Sequence, residues 1–202
     1  MKNNRPQEKT LVLIKPDGVQ RSLIGEIIHR YERTGLKLVG LKFFTPSTKL
    51  VEQHYFMDKG WLEAVGNKSI ASYKKRGKKS PFSDSKKCGL RILETLKKYL
   101  SAGPVVAMVW QGNEAVGIVR KITGGTEPLT SDVGTIRGDL TLDSIILADI
   151  DGRAVRNLIH ASGSSEEANK EIKIWFKPSE IVKYRLVQEE VLYDVDLNGI
   201  ME

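Results

Sequence analysis

Four short apolar runs, separated by segments of helical character, constrain the fold of this chain more than any other feature. The runs are rich in the aliphatic and β-branched residues of buried strands, and they lie at 10–14, 36–44, 105–110 and 158–160. Segment 23–33 instead carries apolar residues three and four positions apart, which is the spacing of a helix face. The order along the chain is strand, helix, strand, helices, strand, helix, loops, strand, helix.

This order is that of a split βαβ unit used twice, the ferredoxin-like plan. It predicts an α+β fold in which a four-stranded antiparallel sheet is covered by helices on one face. At 202 residues, the chain is of a size that fits a single domain.

The positive charge of the chain is concentrated in one segment. Residues 67–98 hold eleven Lys or Arg and two acidic residues, a local charge of +9, whereas the whole chain carries +7 and the remainder therefore sums to −2. A basic segment in a nearly neutral protein argues against a surface that coats nucleic acid uniformly. Two interpretations stay open for the segment: a solvated loop, or a local nucleic-acid-binding surface, for which nothing else in the sequence gives support.

Cysteine content and hydropathy bear on the compartment. Cys88 is the only cysteine, so an intrachain disulfide is impossible and a reducing compartment is expected. The first residues are polar and lack an apolar signal core, and no apolar run is long enough to span a bilayer. We therefore expect a cytoplasmic protein without a membrane partner.

The stretch 157–171 carries the residues with the most chemical potential. His160 lies at the exit of an apolar run, and a Ser-Gly-Ser turn leads into a helix capped at position 164 or 165. If that helix packs back on the strand, Glu171 could lie beside Ser162 and His160. A hydroxyl and a carboxylate would then orient the ring, as a nucleophilic imidazole requires. The alternative is an ordinary strand-end histidine next to a capped helix.

Three cationic residues lie at exits of predicted elements or in glycine-bracketed loops: Lys15, Arg120 and Arg137, with Thr126 between the two arginines. Arginine offers paired donors that match phosphate oxygens, and lysine offers a point charge, so the set could hold a di- or triphosphate. The sequence Lys15-Pro-Asp-Gly18 predicts a turn, so Lys15 could equally be a solvated turn residue. The sequence contains no G-x-x-x-x-G-K-[ST], no G-x-G-x-x-G, no protein-kinase catalytic loop and no metal-ligand spacing, which disfavours those classes.

Several of these motifs occur together in one known family. The chain resembles the nucleoside diphosphate kinases, in the family's order and over most of residues 10–56 and 103–184. The resemblance is carried by Leu13-Ile-Lys-Pro-Asp-Gly-Val-Gln-Arg21, by Gly134-Thr-Ile-Arg-Gly-Asp139 and by Asn157-Leu-Ile-His-Ala-Ser162. Further pieces lie at 25–28, 38–42, 54–55, 103–110, 120 with 124–128, and 171–176.

The resemblance implies ping-pong transfer of the γ-phosphoryl group of ATP, or of another nucleoside triphosphate, to a nucleoside diphosphate. His160 is then the phosphorylated nucleophile, and Glu171 and Ser162 orient its ring. Phosphates and ribose are bound by Lys15, Arg120, Thr126, Arg137 and Asn157, with Tyr55 and Lys15 near the transferred group. Mg²⁺ is held by the nucleotide phosphates and not directly by protein ligands. The family also implies a homo-oligomer, a tetramer or a hexamer.

Other features depart from the family pattern. Gly163 stands where the family usually has an aspartate, and Trp61 aligns with the base-stacking aromatic only across a small gap, so Trp61 could instead be a core residue. Relative to the family, the single domain over 1–202 carries a basic insertion at about 67–101, a loop insertion at about 140–152 and a C-terminal extension at about 185–202. The insertions could alter nucleotide access or subunit contacts.

Overall fold

The computed structural model describes residues 7–56 and 60–193. They fall into two compact units. The first unit draws on Met1–Phe44, Val105–Leu142 and Asn157–Glu202, and the second draws on Thr45–Pro104 and Asp143–Arg156.

A four-stranded sheet forms the centre of the first unit. Its strands are β1 (Glu8–Ile14), β2 (Lys37–Phe44), β3 (Val105–Gly112) and β4 (Ile159–Ala161). The order is β2-β3-β1-β4, and every neighbouring pair is antiparallel. The predicted four-stranded antiparallel sheet is therefore confirmed.

The helices follow the predicted order, except that two short helices, Ile136–Leu140 and Ile145–Ile150, lie where loops were predicted. In chain order they are α1 (Pro16–Gln20), α2 (Ile24–Glu32), α3 (Thr48–Tyr55), α4 (Trp61–Lys75), α5 (Ser85–Leu100), α6 (Ala115–Thr123), α7 (Ile136–Leu140), α8 (Ile145–Ile150), α9 (Ser165–Trp175) and α10 (Glu189–Tyr193). Single 3₁₀ turns lie at Pro128–Thr130 and Pro178–Glu180. Ser47 caps α3 by accepting a hydrogen bond from the Leu50 N–H at 3.2 Å. None of the described helices could cross a membrane.

The sequence predicted a turn at 15–18, but the structure has the short helix α1 there, with Lys15 as its N-cap. Pro16 occupies the first helical position, where the missing N–H costs nothing because that N–H has no partner within the helix. The proline therefore starts a helix at the exit of β1.

The core of the first unit packs around two aromatic rings. Tyr31 and Trp110 are fully buried, and their ring centroids are 5.5 Å apart. The Tyr31 hydroxyl lies 2.7 Å from Thr123 Oγ1. Burial raises the pKa of this hydroxyl, so it stays protonated. Burying an aromatic side chain of this size contributes about 1.5–3 kcal/mol, which ties α2 to β3.

Most of the basic segment is helical, since α4 ends at Lys75 and α5 begins at Ser85. Helices α4 and α5 of the second unit pack against each other at very close range through two glycines. A Cβ on Gly66 would lie 1.8 Å from the Ser85 carbonyl oxygen, and a Cβ on Gly89 would lie 2.1 Å from that of Leu62. No side chain larger than hydrogen fits at either crossing point, so both glycines are required by packing.

The two segments predicted as insertions meet within the second unit. Arg76 donates to Asp149 at 2.6 Å and lies 4.6 Å from the centroid of the Tyr73 ring. Arg91 donates to the Gly152 carbonyl at 3.2 Å. One acidic residue of the later segment, Asp149, is therefore paired with an arginine of the earlier one.

The C-terminal extension is described as far as Tyr193, and its predicted remainder, 194–202, lies outside the described residues. Lys37 of β2 pairs with Glu189 of α10 at 2.5 Å. The Tyr184 hydroxyl donates to the Leu38 carbonyl at 2.9 Å. These contacts attach the described part of the extension to β2 of its own chain.

Candidate active site

His160 lies on the short strand β4, where it pairs in register with Leu13 of β1. Its ring is half-buried, and Nε2 lies 2.9 Å from Glu171 Oε1. In the tautomer that donates from Nε2 to the carboxylate, the lone pair of the ring is on Nδ1. In that tautomer the carboxylate holds the ring with its lone pair on Nδ1.

Glu171 is positioned by the start of α9. The N-cap Ser164 accepts from the Glu167 N–H at 3.1 Å, which sets the phase of the helix. Ala168, Glu171 and Trp175 then share its buried face. Glu171 is 2% exposed, and a second hydrogen bond holds it, because its Oε2 accepts from Ser162 Oγ at 2.6 Å. The predicted His160–Glu171–Ser162 arrangement is present.

The backbone just before His160 is in a strained conformation. Leu158 has φ +64°, a region that is unfavourable for a residue with a Cβ. The Ile159 N–H donates to the Asn157 carbonyl at 2.7 Å and closes a three-residue turn around Leu158. Such strain costs about 1–3 kcal/mol and persists only where the surroundings impose it.

Lys15 is 5% exposed, and its Nζ donates to Asn157 Oδ1 at 2.6 Å. Burial, with a smaller contribution from the positive charge of Arg137, lowers the pKa of Lys15 to about 7, while Asp17 acts in the opposite direction. This lysine can therefore gain or lose a proton near neutral pH.

Arg137 is 8% exposed and uses its guanidinium to hold backbone carbonyls. Nε donates to Asn157 at 3.0 Å, Nη1 donates to Gly124 and Gly125 at 3.0 and 2.9 Å, and Nη2 donates to Ile159. Arg137 thus joins the loop after α6 to the segment before His160. The sequence predicted a phosphate contact and missed this bracing role.

Thr126 and Arg120 lie on either side of that loop and are exposed. The Thr126 carbonyl accepts from Asn157 Nδ2 at 2.8 Å. Arg120 is in the last turn of α6, and its carbonyl accepts from the Gly124 N–H at 3.0 Å. Within the part of the chain that the structure describes, the Arg120 guanidinium has no hydrogen bond or ion pair. It is therefore available to a ligand without breaking a contact.

Tyr55 and Trp61 belong to the second unit. Both are half-buried, and their ring centroids lie 5.8 Å apart. Their predicted roles, Tyr55 near the transferred group and Trp61 under the base, remain predictions.

Two residues that the sequence analysis gave no role support the site. Asp17 Oδ2 accepts from the Leu158 N–H at 3.1 Å, and Glu167 Oε2 accepts from the Gly163 N–H at 2.8 Å. The second contact occurs where the family usually has an aspartate. The signal in the sequence was an acidic residue in the first turn of each helix, where carboxylates are favoured.

Comparison with known proteins agrees with the resemblance. The family model described as "Nucleoside diphosphate kinase" matches residues 8–64 and 73–181. The nucleoside diphosphate kinase of Pyrobaculum aerophilum is 44% identical over 182 residues, which covers 88% of this chain and 100% of the relative. The solved structure of an NDP kinase from Pyrobaculum aerophilum has a TM-score of 0.84 at 43% identity, covering 88% of this chain and 100% of that one.

A second solved structure is a transition-state mimic of the nucleoside-diphosphate kinase from Borrelia burgdorferi with bound vanadate and ADP. It has a TM-score of 0.74 at 34% identity and covers 92% of this chain and 96% of that chain. The chain belongs to the nucleoside diphosphate kinase family. The predictions of the family, of the ferredoxin-like fold and of a nucleotide-binding phosphotransferase are thereby confirmed.

Proposed function

We propose that this nucleoside diphosphate kinase transfers the γ-phosphoryl group of ATP, or of another nucleoside triphosphate, to a nucleoside diphosphate through a phosphohistidine at His160. The observation that carries the proposal is the pair of contacts at Glu171, 2.9 Å to His160 Nε2 and 2.6 Å to Ser162 Oγ. They fix the ring and its tautomer beside the cationic Lys15–Asn157–Arg137 group, which is suited to phosphate.

In the first half-reaction the Nδ1 lone pair of His160 attacks the γ-phosphorus, and the bond between γ-phosphorus and the β,γ-bridging oxygen breaks. The nucleoside diphosphate leaves with the bond's electrons. Glu171 balances the positive charge that develops on the ring, while the Lys15 ammonium and the Arg120 guanidinium neutralise phosphate oxygens. In the second half-reaction a terminal oxygen of the acceptor diphosphate attacks the phosphohistidine, and Nδ1 recovers its lone pair.

Arg137, Asn157 and Thr126 complete the proposed nucleotide site. Arg137 holds the loop at 124–125 next to Asn157. The side-chain amide of Asn157 accepts a hydrogen bond from Lys15 and donates one to the Thr126 carbonyl. Phosphate and ribose contacts are assigned to this set, with Tyr55 near the transferred group and Trp61 stacked on the base. Stacking contacts the face of the base and not its hydrogen-bonding edge, so we expect low selectivity among nucleosides.

Mg²⁺ is proposed as the cofactor, bound to the phosphate oxygens of the nucleotide. The residues present fit that arrangement, because carboxylates around the histidine segment already accept hydrogen bonds from the protein. Glu171 accepts from Ser162, and Asp17 accepts from the Leu158 N–H. Bound to the phosphates, the ion offsets their negative charge.

The test is incubation of the protein with γ-labelled ATP. We expect acid-labile label on His160 in wild type, its transfer to added diphosphates, and its loss in His160→Ala. The matched control is His29→Ala, which alters an exposed histidine of α2 and retains the label. Label that persists in His160→Ala would contradict the proposal.

The proposal also includes the organisation and location of the enzyme. The chain forms one domain over 1–202 that carries the two insertions and the C-terminal extension named above. The enzyme is cytoplasmic and forms a homo-oligomer, either a tetramer or a hexamer. A single cysteine, Cys88, fits a reducing compartment. Native mass spectrometry tests the oligomer directly, and a monomer at micromolar concentration would refute it.

A second candidate function, nucleic-acid binding, is favoured by one feature of the second unit. Six lysines at the end where α4 and α5 are joined are exposed and have no ion pair with any residue in 7–56 or 60–193: Lys74, Lys75, Lys78, Lys79, Lys86 and Lys87. The nearby Asp84 caps α5 by accepting the Lys87 N–H at 2.8 Å. The tip is therefore a local excess of positive charge that suits a phosphodiester backbone.

The discriminating measurement is binding to single-stranded nucleic acid as a function of salt. Each phosphate neutralised on a single strand contributes about −0.7 to the slope of log K against log salt. Replacing Lys74, Lys75, Lys78 and Lys79 by Gln should flatten the slope by about 3. A slope that the four substitutions leave unchanged would remove this candidate.

A further inference from the structure

Asp17 is a buried acidic residue in the first turn of α1, and the mechanism above assigns it no role. Its Oδ2 accepts the Leu158 N–H at 3.1 Å, across 141 positions of sequence. Burying a carboxylate is unfavourable unless it is hydrogen-bonded or paired with a charge. A carboxylate buried at this position therefore indicates a role that an apolar or neutral side chain would not fill.

The first part of that task concerns the backbone before His160. Leu158 is held at φ +64° by contacts at both of its polar groups. Its N–H donates to Asp17, and its carbonyl accepts from the Lys15 N–H at 2.8 Å. Since His160 follows two residues later, the direction in which its ring leaves β4 depends on this turn.

The second part concerns the charge on Lys15. Among the described residues, the positive charge of Arg137 from α7 lowers the pKa of Lys15, and the negative charge of Asp17 from α1 raises it. Lys15 donates to the neutral side chain of Asn157, and Asp17 accepts from the next residue, Leu158. Asp17 thus contributes negative charge that opposes the effects of burial and of Arg137 at this lysine.

We propose that Asp17 is a positioning residue with two separable tasks: its carboxylate fixes the left-handed turn that aims His160, and its negative charge keeps Lys15 in the ammonium form that the phosphate needs. This inference rests on the proposed function and adds a residue outside the set that touches the nucleotide.

Two variants separate the tasks. In Asp17→Asn an amide oxygen still accepts the Leu158 N–H, but the negative charge is gone. In Asp17→Ala both are gone. The matched control is Asp84→Asn in the second unit, where a carboxylate also accepts a backbone N–H, that of Lys87 at 2.8 Å, and where asparagine is an equally good cap.

For Asp17→Asn we expect a deficit in kcat/KM relative to wild type that grows with pH. The loss of an opposing charge commonly changes the proton affinity of a neighbouring group tenfold or more. With a tenfold change, the deficit is about twofold at pH 6 and about tenfold at pH 8. The ¹³Cε resonance of Lys15, followed by NMR in the ligand-free protein, should titrate at lower pH than in wild type. An equal deficit at both pH values, with an unchanged titration, would overturn the charge task.

For Asp17→Ala we expect the same pH dependence together with a further loss of phosphohistidine formation at every pH. Amide hydrogen exchange at Leu158 should be faster than in Asp17→Asn, and Asp84→Asn should match wild type in every measurement. If Asp17→Ala equals Asp17→Asn in both exchange and rate at pH 6, the backbone task is wrong.

The same experiments keep this inference apart from the proposed function. If wild type forms no phosphohistidine, the proposed function fails, while the Lys15 titration and Leu158 exchange still decide what Asp17 does. If wild type is labelled and both variants behave as wild type does, only the Asp17 inference fails.

Discussion

The protein carries two groups of cationic side chains that differ in almost every physical respect. In the first unit, Lys15 and Arg137 are buried and hydrogen-bonded to Asn157 and to backbone carbonyls. In the second unit, the lysines at the α4–α5 end, such as Lys74 and Lys78, are exposed. Measured by charge alone, the second group dominates, with a local +9 at 67–98.

If phosphate binds where we propose, local charge density does not identify the phosphate site. Buried cations are fixed in position before a ligand arrives, and the low dielectric around them strengthens each contact. Exposed lysines are hydrated and screened by salt, and each side chain loses rotamer freedom when it binds. Arg120 lies between these extremes, because it is exposed but placed one helical turn before the loop that Arg137 braces. Substitutions of the buried cations, of Arg120 and of the exposed lysines should therefore have effects of different sizes.

The largest effect is expected for Arg137→Ala. It removes donors from four carbonyls, and each buried acceptor left without a partner costs about 1–3 kcal/mol. We expect the variant to lose about 2–4 kcal/mol of transition-state stabilisation, measured as a fall in kcat/KM. The melting temperature should fall as well. Arg137→Lys is the matched control, with the charge kept and the fork of donors lost. Steady-state kinetics and thermal unfolding are measured for both variants. If Arg137→Ala melts at the wild-type temperature, Arg137 does not brace the backbone.

The next effect is a pH dependence that originates at Lys15. The pKa of this lysine is lowered to about 7, so the ammonium form is lost as pH rises above 7 in the free protein. Phosphate binding favours the ammonium and is therefore linked to proton uptake, so ADP affinity should fall by up to about tenfold per pH unit above 7. Calorimetry in buffers of different ionisation enthalpy measures that uptake. Lys15→Met should abolish it, and proton release on binding would contradict the assignment.

A smaller effect is expected for Arg120→Ala. A charge-assisted hydrogen bond contributes about 1.5–3 kcal/mol, and at this exposed position we expect the low end, a rise in KM of about tenfold. Stability should change little, since the guanidinium makes no hydrogen bond or ion pair with the described residues. Parallel kinetics and melting curves test the contrast with Arg137. A fall in melting temperature similar to that of Arg137→Ala would erase the distinction between the two arginines.

The smallest effect is expected from replacing Lys74, Lys75, Lys78 and Lys79 together by Gln. Surface substitutions of this kind usually change stability by less than about 0.5 kcal/mol each, and none of these side chains has a role in the proposed transfer. We expect kcat/KM for ATP and a diphosphate to stay within about twofold of wild type. A tenfold loss would show that the exposed group takes part in nucleotide binding after all.

Much of the site could be predicted because its signals are local. Ser164 capping α9, the apolar runs of the strands and the spacing from His160 to Glu171 all act within a few turns of chain. The contacts missed by sequence reasoning join distant positions. Arg137 and Asp17 were read as a phosphate ligand and a turn residue, and only their packing shows that they hold the backbone at 157–159.

The main order of strands and helices, the ferredoxin-like sheet, the family and the candidate nucleophile could all be predicted from the amino-acid sequence, because periodicity, caps and motifs are encoded by neighbouring residues. The division of the cations into buried and exposed groups depends instead on the folded chain. The pKa of Lys15, the carbonyl contacts of Arg137 and the exposure of Arg120 depend on which atoms surround each charge. That environment is assembled from segments more than a hundred positions apart in the chain, such as Lys15 and Asn157.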